Sequence, residues 1–531
     1  MKFISLFILS VFLHVTVAFG QYWQQGQSFE ITATLDEKAK TVTAKSKLLY
    51  TNNSPDTLDY IWYHIWPKAY STKESALFRQ INTKEDAEKI LADAKDLGDL
   101  TGLNFTVNGK QASTSAHSNP QYVDVIKLLL PEPLLPGKQI AIETPFINKL
   151  PSYFSRSGYA EEQFMVCQWF PRPATYDKNG WHEMPYLSSG EFYNEYGDYD
   201  VRITLPADMI VGATGVLQNE DELAQYKKLG KANMSSSARF AMYTTSGKGL
   251  KTLHYKAADV PDFAFFAVRN YAIQYDTIQL KNGRVVDAFT FFKPEKKSPW
   301  TSSISMVKDA THFYSNAIGD YDYPTVQAIE GPKNNSSGGM EYPMITLITS
   351  PDAKYETLDA VIAHEVGHNW FMSMLGTNER DHAWMDEGLN SYYQFRYEAE
   401  KHRSNALFGS ALPADIKKLP VDQFQRVIYD NFARFPYEAP IDWPADKYAT
   451  AEQYAFSVYV KAALWVYIME AGAGREAVDS VFRNFFAEWK HKHPSPEDFK
   501  ASAERTLERP LDNYFQMLKL EKGFGGEDES N

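Results

Sequence analysis

Apolar and polar residues alternate with a period of two along most of the chain between about Ser28 and Leu253. Phe29 to Leu35 and Thr41 to Tyr50 follow the pattern, Tyr60 to Trp66 runs nearly continuously apolar, and Asp36-Glu37 and Asn52-Asn53-Ser54-Pro55 interrupt them with turn residues. Such runs, bounded by Asp, Asn, Ser and Pro, predict strands that bury one face. Asp200 to Leu205 and Met209 to Leu217 continue the series. The N-terminal half therefore reads as a large antiparallel β domain. The polar stretch Thr83 to Asp96 breaks it as a weakly amphipathic helical insert, expected to be a surface excursion.

The period changes near Val260-Pro261. Beyond the strand-like stretches Phe263 to Val268 and Val286 to Phe292, helical spacing dominates: Thr301 to Ile318, Leu358 to Leu375, Glu387 to Arg403, Tyr459 to Ala471, Arg475 to Trp489 and Pro496 to Leu507. Ser495-Pro496-Glu497 is a helix start and Gly472 to Gly474 a stop. The second half reads as an α+β domain. The expected organisation is a leader at 1–20, the β domain at 21–262 and the α+β domain at 263–531. Its glycine-rich, acidic tail, from about 523, is expected to be disordered.

Length and charge narrow the classes. At 531 residues the chain exceeds what one hydrophobic core serves. A formal charge of -13 argues against nucleic acid or an anionic membrane as the main partner. Met1-Lys2 followed by the apolar run Phe3 to Ala18 resembles a secretory signal and is short for a bilayer span, with Ala18-Phe19-Gly20 offering small residues for cleavage before Gln21. The expectation is an exported protein, periplasmic or extracellular, with no membrane span in the mature chain. Cys167 is the single cysteine, so the chain has no intramolecular disulfide and depends on packing or a metal.

The candidate chemistry lies in His364-Glu365-Val366-Gly367-His368. If Val361 to Leu375 is helical, with Ser350-Pro351-Asp352 as an upstream cap and Gly376 as the stop, the two histidines stand one turn apart on one face. Histidines at i and i+4 suit two zinc ligands, with the intervening glutamate as general base. A hydrolytic zinc takes three protein ligands and leaves a position open. Glu387, 387 − 368 = 19 positions after the second histidine and at the start of the next helix, is a candidate third ligand. Glu379, Asp381, His382 and Asp386 compete with it on position alone.

These residues resemble a known family. His364-Glu365-Val366-Gly367-His368 with Glu387 in Trp384-Met385-Asp386-Glu387-Gly388 is similar to the M1 zinc metallopeptidases, the gluzincin group of aminopeptidase N and leukotriene A4 hydrolase. The family's Gly-x-Met-Glu-Asn is matched by Gly338-Gly339-Met340-Glu341 and broken by Tyr342. Its Tyr-x-Lys-Gly/Ala is matched by Tyr459-Val460-Lys461-Ala462.

The resemblance implies a thermolysin-like α+β catalytic domain behind the β domain, and one Zn2+ on His364, His368 and Glu387. It also implies a zinc-activated water with Glu365 as general base, and Tyr459 as donor to the oxyanion. Glu341, in the segment with Gly338, Gly339 and Met340, would bind the α-ammonium of peptide substrates with a free N-terminus. Gln168 resembles a β-domain glutamine of the same pocket, and Tyr454 a tyrosine lining the site. The expected activity is that of an exported zinc aminopeptidase. A zinc endopeptidase, in which Glu341 anchors no terminus, and a non-catalytic peptide-binding protein on a peptidase scaffold are the alternatives.

Overall fold

The computed structural model describes residues 22–524 apart from 85–86, 93, 235–239, 246–248, 296–297 and 335–336. The expected leader, and the tail beyond 524, lie outside the described residues.

Alternation builds the first domain as its pattern dictates. In Gly26–Asp36, Phe29, Ile31, Ala33 and Leu35 point inward while Glu30, Thr32 and Thr34 face out, and Thr41–Thr51 mirrors it. The two pair antiparallel from Gly26↔Thr51 to Asp36↔Thr41. Asp36 Oδ1 closes the hairpin by accepting the N–H groups of Lys38 and Ala39, the local bonding that makes Asp a turn residue. Gln139–Lys149 joins on one side and Gly197–Pro206 on the other, within a sheet of nine strands. The latter pairing is parallel, the one exception to the antiparallel expectation among the described pairings of this sheet; the chain reaches it after leaving the sheet at Lys149 and returning at Gly197, a crossover long enough for parallel pairing. A smaller sheet, ordered Gly158–Ala160, Gln163–Val166, Phe265–Val268, Ile210–Ala213, lies between the large sheet and the second domain. Phe265–Val268, fully buried, belongs to this sheet, so the architecture changes after Val268 rather than at 262.

Within the insert Thr83 to Asp96 the described residues are exposed or half-buried apart from Ile90 of Ala87–Leu91, so the stretch is the surface excursion expected; the preceding Ala76–Asn82 is the buried part, through Leu77, Phe78 and Ile81. The β region also contains the helix Glu220–Met234, whose first turn carries Glu220, Asp221 and Glu222, favourable charges at a helix N-terminus.

The second domain opens on a five-stranded sheet, ordered Ala272–Gln279, Val285–Phe292, Thr325–Glu330, Ile345–Ile348, Gly339–Met340. Thr325–Glu330 is buried on both faces between parallel neighbours. Gly339–Met340 is the antiparallel edge. Helix Ser303–Ala317 covers the sheet and packs on the histidine helix, Tyr355–Gly367. The glutamate helix, Glu387–His402, is buried over most of its length, flanked by the histidine helix and by Ala462–Ala473.

The histidine helix differs from the expected Val361 to Leu375. It begins at Tyr355 after Lys354, without a side-chain cap from Ser350 or Asp352, and ends at Gly367 with His368 as its C-cap. Beyond it the N–H groups of Ser373, Met374 and Leu375 bond to the carbonyls of His368, Asn369 and Trp370, a wide turn stapled by Asn369 Nδ2 to Val366 O. The apolar residues that extend the helical pattern, Phe371 and Leu375, are instead buried in that turn. Among the described residues no helix is long and apolar enough to cross a membrane.

Gly388 fixes how closely the glutamate helix approaches its neighbour: a Cβ there would lie 2.4 Å from Ala462 Cβ and 2.6 Å from Val458 O. Gly388→Ala is expected to cost about 1–3 kcal/mol of stability by overpacking, measured by denaturant unfolding, and to lower activity with it because Glu387 is the adjacent residue.

Candidate metal centre and active site

His364 lies in the last turn of the histidine helix and His368 at its C-cap, so the two rings project together. Their Nε2 atoms are 3.1 Å apart. Glu387, the first residue of its helix, brings Oε2 to 3.1 Å from His364 Nε2 and 3.3 Å from His368 Nε2. All three are buried or nearly so.

The hydrogen bonds behind the rings decide what this trio can hold. Gln394 Nε2 donates to Glu398 Oε1 at 2.8 Å, which leaves Gln394 Oε1 to accept the Nδ1–H of His364 at 2.8 Å. His368 Nδ1 donates to Asp386 Oδ1 at 2.6 Å, with Phe371 O at 3.1 Å as a further acceptor. With both protons held on Nδ1, each Nε2 presents a lone pair. In the neutral rings, two lone pairs and a carboxylate oxygen then face one another at about hydrogen-bond distance, and the Asp386 and Glu387 carboxylates draw positive charge to His368. A two-imidazole, one-carboxylate set with the outer nitrogens braced in this way has the donor chemistry that suits zinc.

The remaining predicted residues gather around it. Glu365 is buried, and its Oε2 has no hydrogen-bond partner among the described residues. Burial is the main cause that pushes its carboxyl up to about 8; the Glu387 charge adds to this and His368 opposes it. Its side chain lies against the edge strand, where a Cβ on Gly339 would come within 2.4 Å of Glu365 Oε1. Burial alone would raise Glu387, but the two imidazoles hold it far below the usual carboxylate range.

Tyr459, in a π-helical turn over Phe456–Lys461, donates its hydroxyl to Glu387 Oε1 and stacks its ring on His364, centroids 5.9 Å apart. Tyr454 is buried beside it, ring centroids 6.0 Å apart, with its hydroxyl unpartnered among the described residues. Glu341 places a carboxylate oxygen within 4.8 Å of Glu365 and His368 donor atoms. Gly338 is exposed, and Met340 is buried on the same edge strand. Gln168 comes from the first domain through a left-handed backbone turn (φ 44) and shares a cleft with Glu341 and Tyr342. Tyr342, which replaces the expected Asn, is buried and donates to Gln168 Oε1 at 3.1 Å.

The rivals for the third ligand separate by partner. Asp386 braces His368; His382 bonds Asp442 at 2.7 Å and Asp381 accepts from Asn378, so neither enters a ligand group. Glu379 instead meets Glu341 and Asp386. The sequence reading missed the roles of Gln394, Glu398, Asp386 and Glu379. Gln394 and Glu398 follow Glu387 by seven and eleven residues, so helical spacing puts them on its face, and that signal was available.

The fold and this centre define the class: a β domain joined to a metallopeptidase-like domain with a two-histidine, one-glutamate site. Residues 303–518 match the Peptidase family M1 domain. The chain is 26% identical over 191 residues to a leukotriene A-4 hydrolase homolog of Botryotinia fuckeliana, covering 34% of this chain and 27% of that protein. It is 25% identical over 266 residues to leucine aminopeptidase 2 of Emericella nidulans, covering 49% and 40%. These matches span well under half the length of those relatives. Among solved structures, an M1 zinc metallopeptidase of Deinococcus radiodurans aligns over 93% of both chains with a TM-score of 0.61 at 12% identity. Legionella pneumophila aminopeptidase A aligns over 93% of this chain and 49% of that one, with a TM-score of 0.62 at 15% identity. The match to the M1 family model lies within the second domain, where the histidine pair and Glu387 stand.

Because Asp386 holds the His368 tautomer, Asp386→Ala is expected to weaken zinc binding by about 10–100-fold. Competition with a chromogenic chelator reads this directly, and Gln394→Ala should act in the same direction through His364.

Proposed function

We propose that the protein is an exported zinc aminopeptidase that removes N-terminal residues from peptides. His364, His368 and Glu387 would hold one zinc ion, which when bound supplies Lewis-acid polarisation of the scissile carbonyl and an acidified water. Glu365, buried beside that trio with a free Oε2, takes the proton of the attacking water and passes it to the leaving amine. The hydroxyl of Tyr459, poised at Glu387 Oε1, is the neighbouring donor for the tetrahedral oxyanion. Tyr454 stands behind it. The edge strand Gly339–Met340 offers its unpaired side for the substrate backbone, as an exposed strand edge does.

The observation that carries the exopeptidase reading is Glu341. Its carboxylate is buried, lies within 4.8 Å of Glu365 and His368 donor atoms, and accepts no hydrogen bond from any described residue. A buried carboxylate is tolerated when a cation pairs with it, and a free α-ammonium one residue from the scissile bond is such a cation. Matched relatives named leucine aminopeptidase 2 support the same activity. Export rests on the Phe3 to Ala18 run behind Lys2.

Three measurements test this. Leucine p-nitroanilide should be cleaved and its N-acetylated twin should not; equal rates would instead favour an endopeptidase. Glu365→Gln should retain zinc while kcat falls by about 10²–10⁴-fold; full turnover in that variant would overturn the assigned base. Mass spectrometry of the exported protein should find Gln21 as the first residue.

A further inference from the structure

Next to Glu341 the cleft closes in a pocket lined by residues of both domains. Glu341, Glu379, Gln168, Asn194 and Thr377 line it around a narrow cavity of about 30 Å³, room for a group the size of a water or an ammonium. Carboxylate oxygens of Glu341, Glu379 and Asp386 lie within 4.8 Å of one another. All three residues are at least 94% buried. Neither Glu341 nor Glu379 is hydrogen-bonded or ion-paired to a described residue.

Two further observations make this more than a cluster of acids. Asn194 Oδ1, Thr377 Oγ1 and Asp386 Oδ2 are all buried and unpartnered among the described residues, and Asn194 and Thr377 line the same pocket. The nearby guanidinium groups are also committed elsewhere. Arg156 pairs with Glu191 at 2.6 Å, and Arg380 spends its donors on the carbonyls of Pro185, Gly190 and Glu191. Among the described residues the pocket is therefore rich in acceptors and has no free protein cation; the donors in its lining, on Thr377, Asn194 and Gln168, are neutral. Buried acceptors are normally satisfied, and the ligand that satisfies several at once is a cation carrying several N–H donors. A primary ammonium, with three donors and no acceptor, has that chemistry.

Geometry places the ammonium. Glu341 belongs both to the group with Glu365 and His368 and to the group with Glu379 and Asp386. In an aminoacyl group the α-nitrogen sits roughly 2.5 Å from the carbonyl carbon, so a carbonyl at the metal trio brings the α-ammonium within reach of Glu341, whose other carboxylate neighbour is Glu379. We infer that Glu379 is a second carboxylate of the terminus pocket, and that the substrate's α-ammonium is held between Glu341 and Glu379. The inference rests on the aminopeptidase reading above.

The test compares wild type, Glu379→Gln and Glu379→Asp on leucine p-nitroanilide and its N-acetylated twin, with the metal content of each protein measured in parallel. Glu379→Gln should raise KM for the free substrate by about 10–100-fold, the scale of a charge-assisted hydrogen bond, with kcat within about threefold and one zinc per chain retained. Glu379→Asp keeps the charge on a shorter arm and should give an intermediate KM; it also serves if the glutamine variant fails to fold. An unchanged KM in the folded variants overturns the inference, as does a loss confined to kcat with zinc content. Two divalent ions per wild-type chain, falling to one in Glu379→Gln, would also overturn it by assigning the acceptors to a second metal. If wild type cleaves both substrates equally, the aminopeptidase reading itself has failed; if wild type needs the free amine and Glu379→Gln keeps its KM, only the role of Glu379 has.

Discussion

In the neutral rings, two imidazole lone pairs and a carboxylate oxygen stand within 3.3 Å of one another, a donor set that suits zinc. The surrounding structure holds them in that arrangement. Glu398 orients Gln394, Gln394 orients His364, and Asp386 orients His368, each by a buried hydrogen bond. The helix that supplies Glu387 also supplies Gln394 and Glu398, so one rigid element carries both the ligand and the brace for another ligand. A site built from helix faces in this way is set by backbone geometry rather than by loop conformation.

Burial of the centre shapes the chemistry around it. Glu365 and Glu341 lie close to the same ligands, and the absence of water contact raises the proton affinity of both. Their duties diverge by position. Glu365 projects from the histidine helix beneath the edge strand, in space kept open by Gly339, while Glu341 sits on the segment that continues that strand. Under the proposed function, the first would handle a proton at the scissile bond and the second would face the substrate's terminus. The β domain reaches the cleft through Gln168, whose Oε1 accepts a buried hydrogen bond from Tyr342 of the second domain. Tyr342, which stands where the resemblance implies Asn, thus links the two domains.

Much of this was legible in the chain. Strict alternation in Gly26–Asp36 and Thr41–Thr51, and turn chemistry at Asp36, fix which faces are buried and where the hairpin closes. Histidines four apart need only one helical turn to converge, so His364 and His368 were readable even though the helix ends at Gly367 rather than Leu375. The overlong helix has a clear origin: Phe371 and Leu375 carry helical spacing, but their burial is achieved by a wide turn, and periodicity reports burial without reporting backbone bonding. The parallel pairing of Gly26–Asp36 with Gly197–Pro206 left no local trace, because strand order is set by contacts between residues far apart in sequence.

By itself the sequence determined the two-part architecture, the identity of the histidine pair and its glutamate, and the residue types available for catalysis, since all of these follow from local spacing and side-chain chemistry. It left Glu379, Asp381, His382 and Asp386 as equals beside Glu387. Tertiary structure separated them by giving each a different partner: Asp386 an imidazole, His382 an aspartate, Asp381 an asparagine, and Glu379 a place among other unpaired acceptors. The physical reason is that a carboxylate's role depends on what lies within about 3 Å of its oxygens and how far it is removed from water, and both are properties of packing between distant segments.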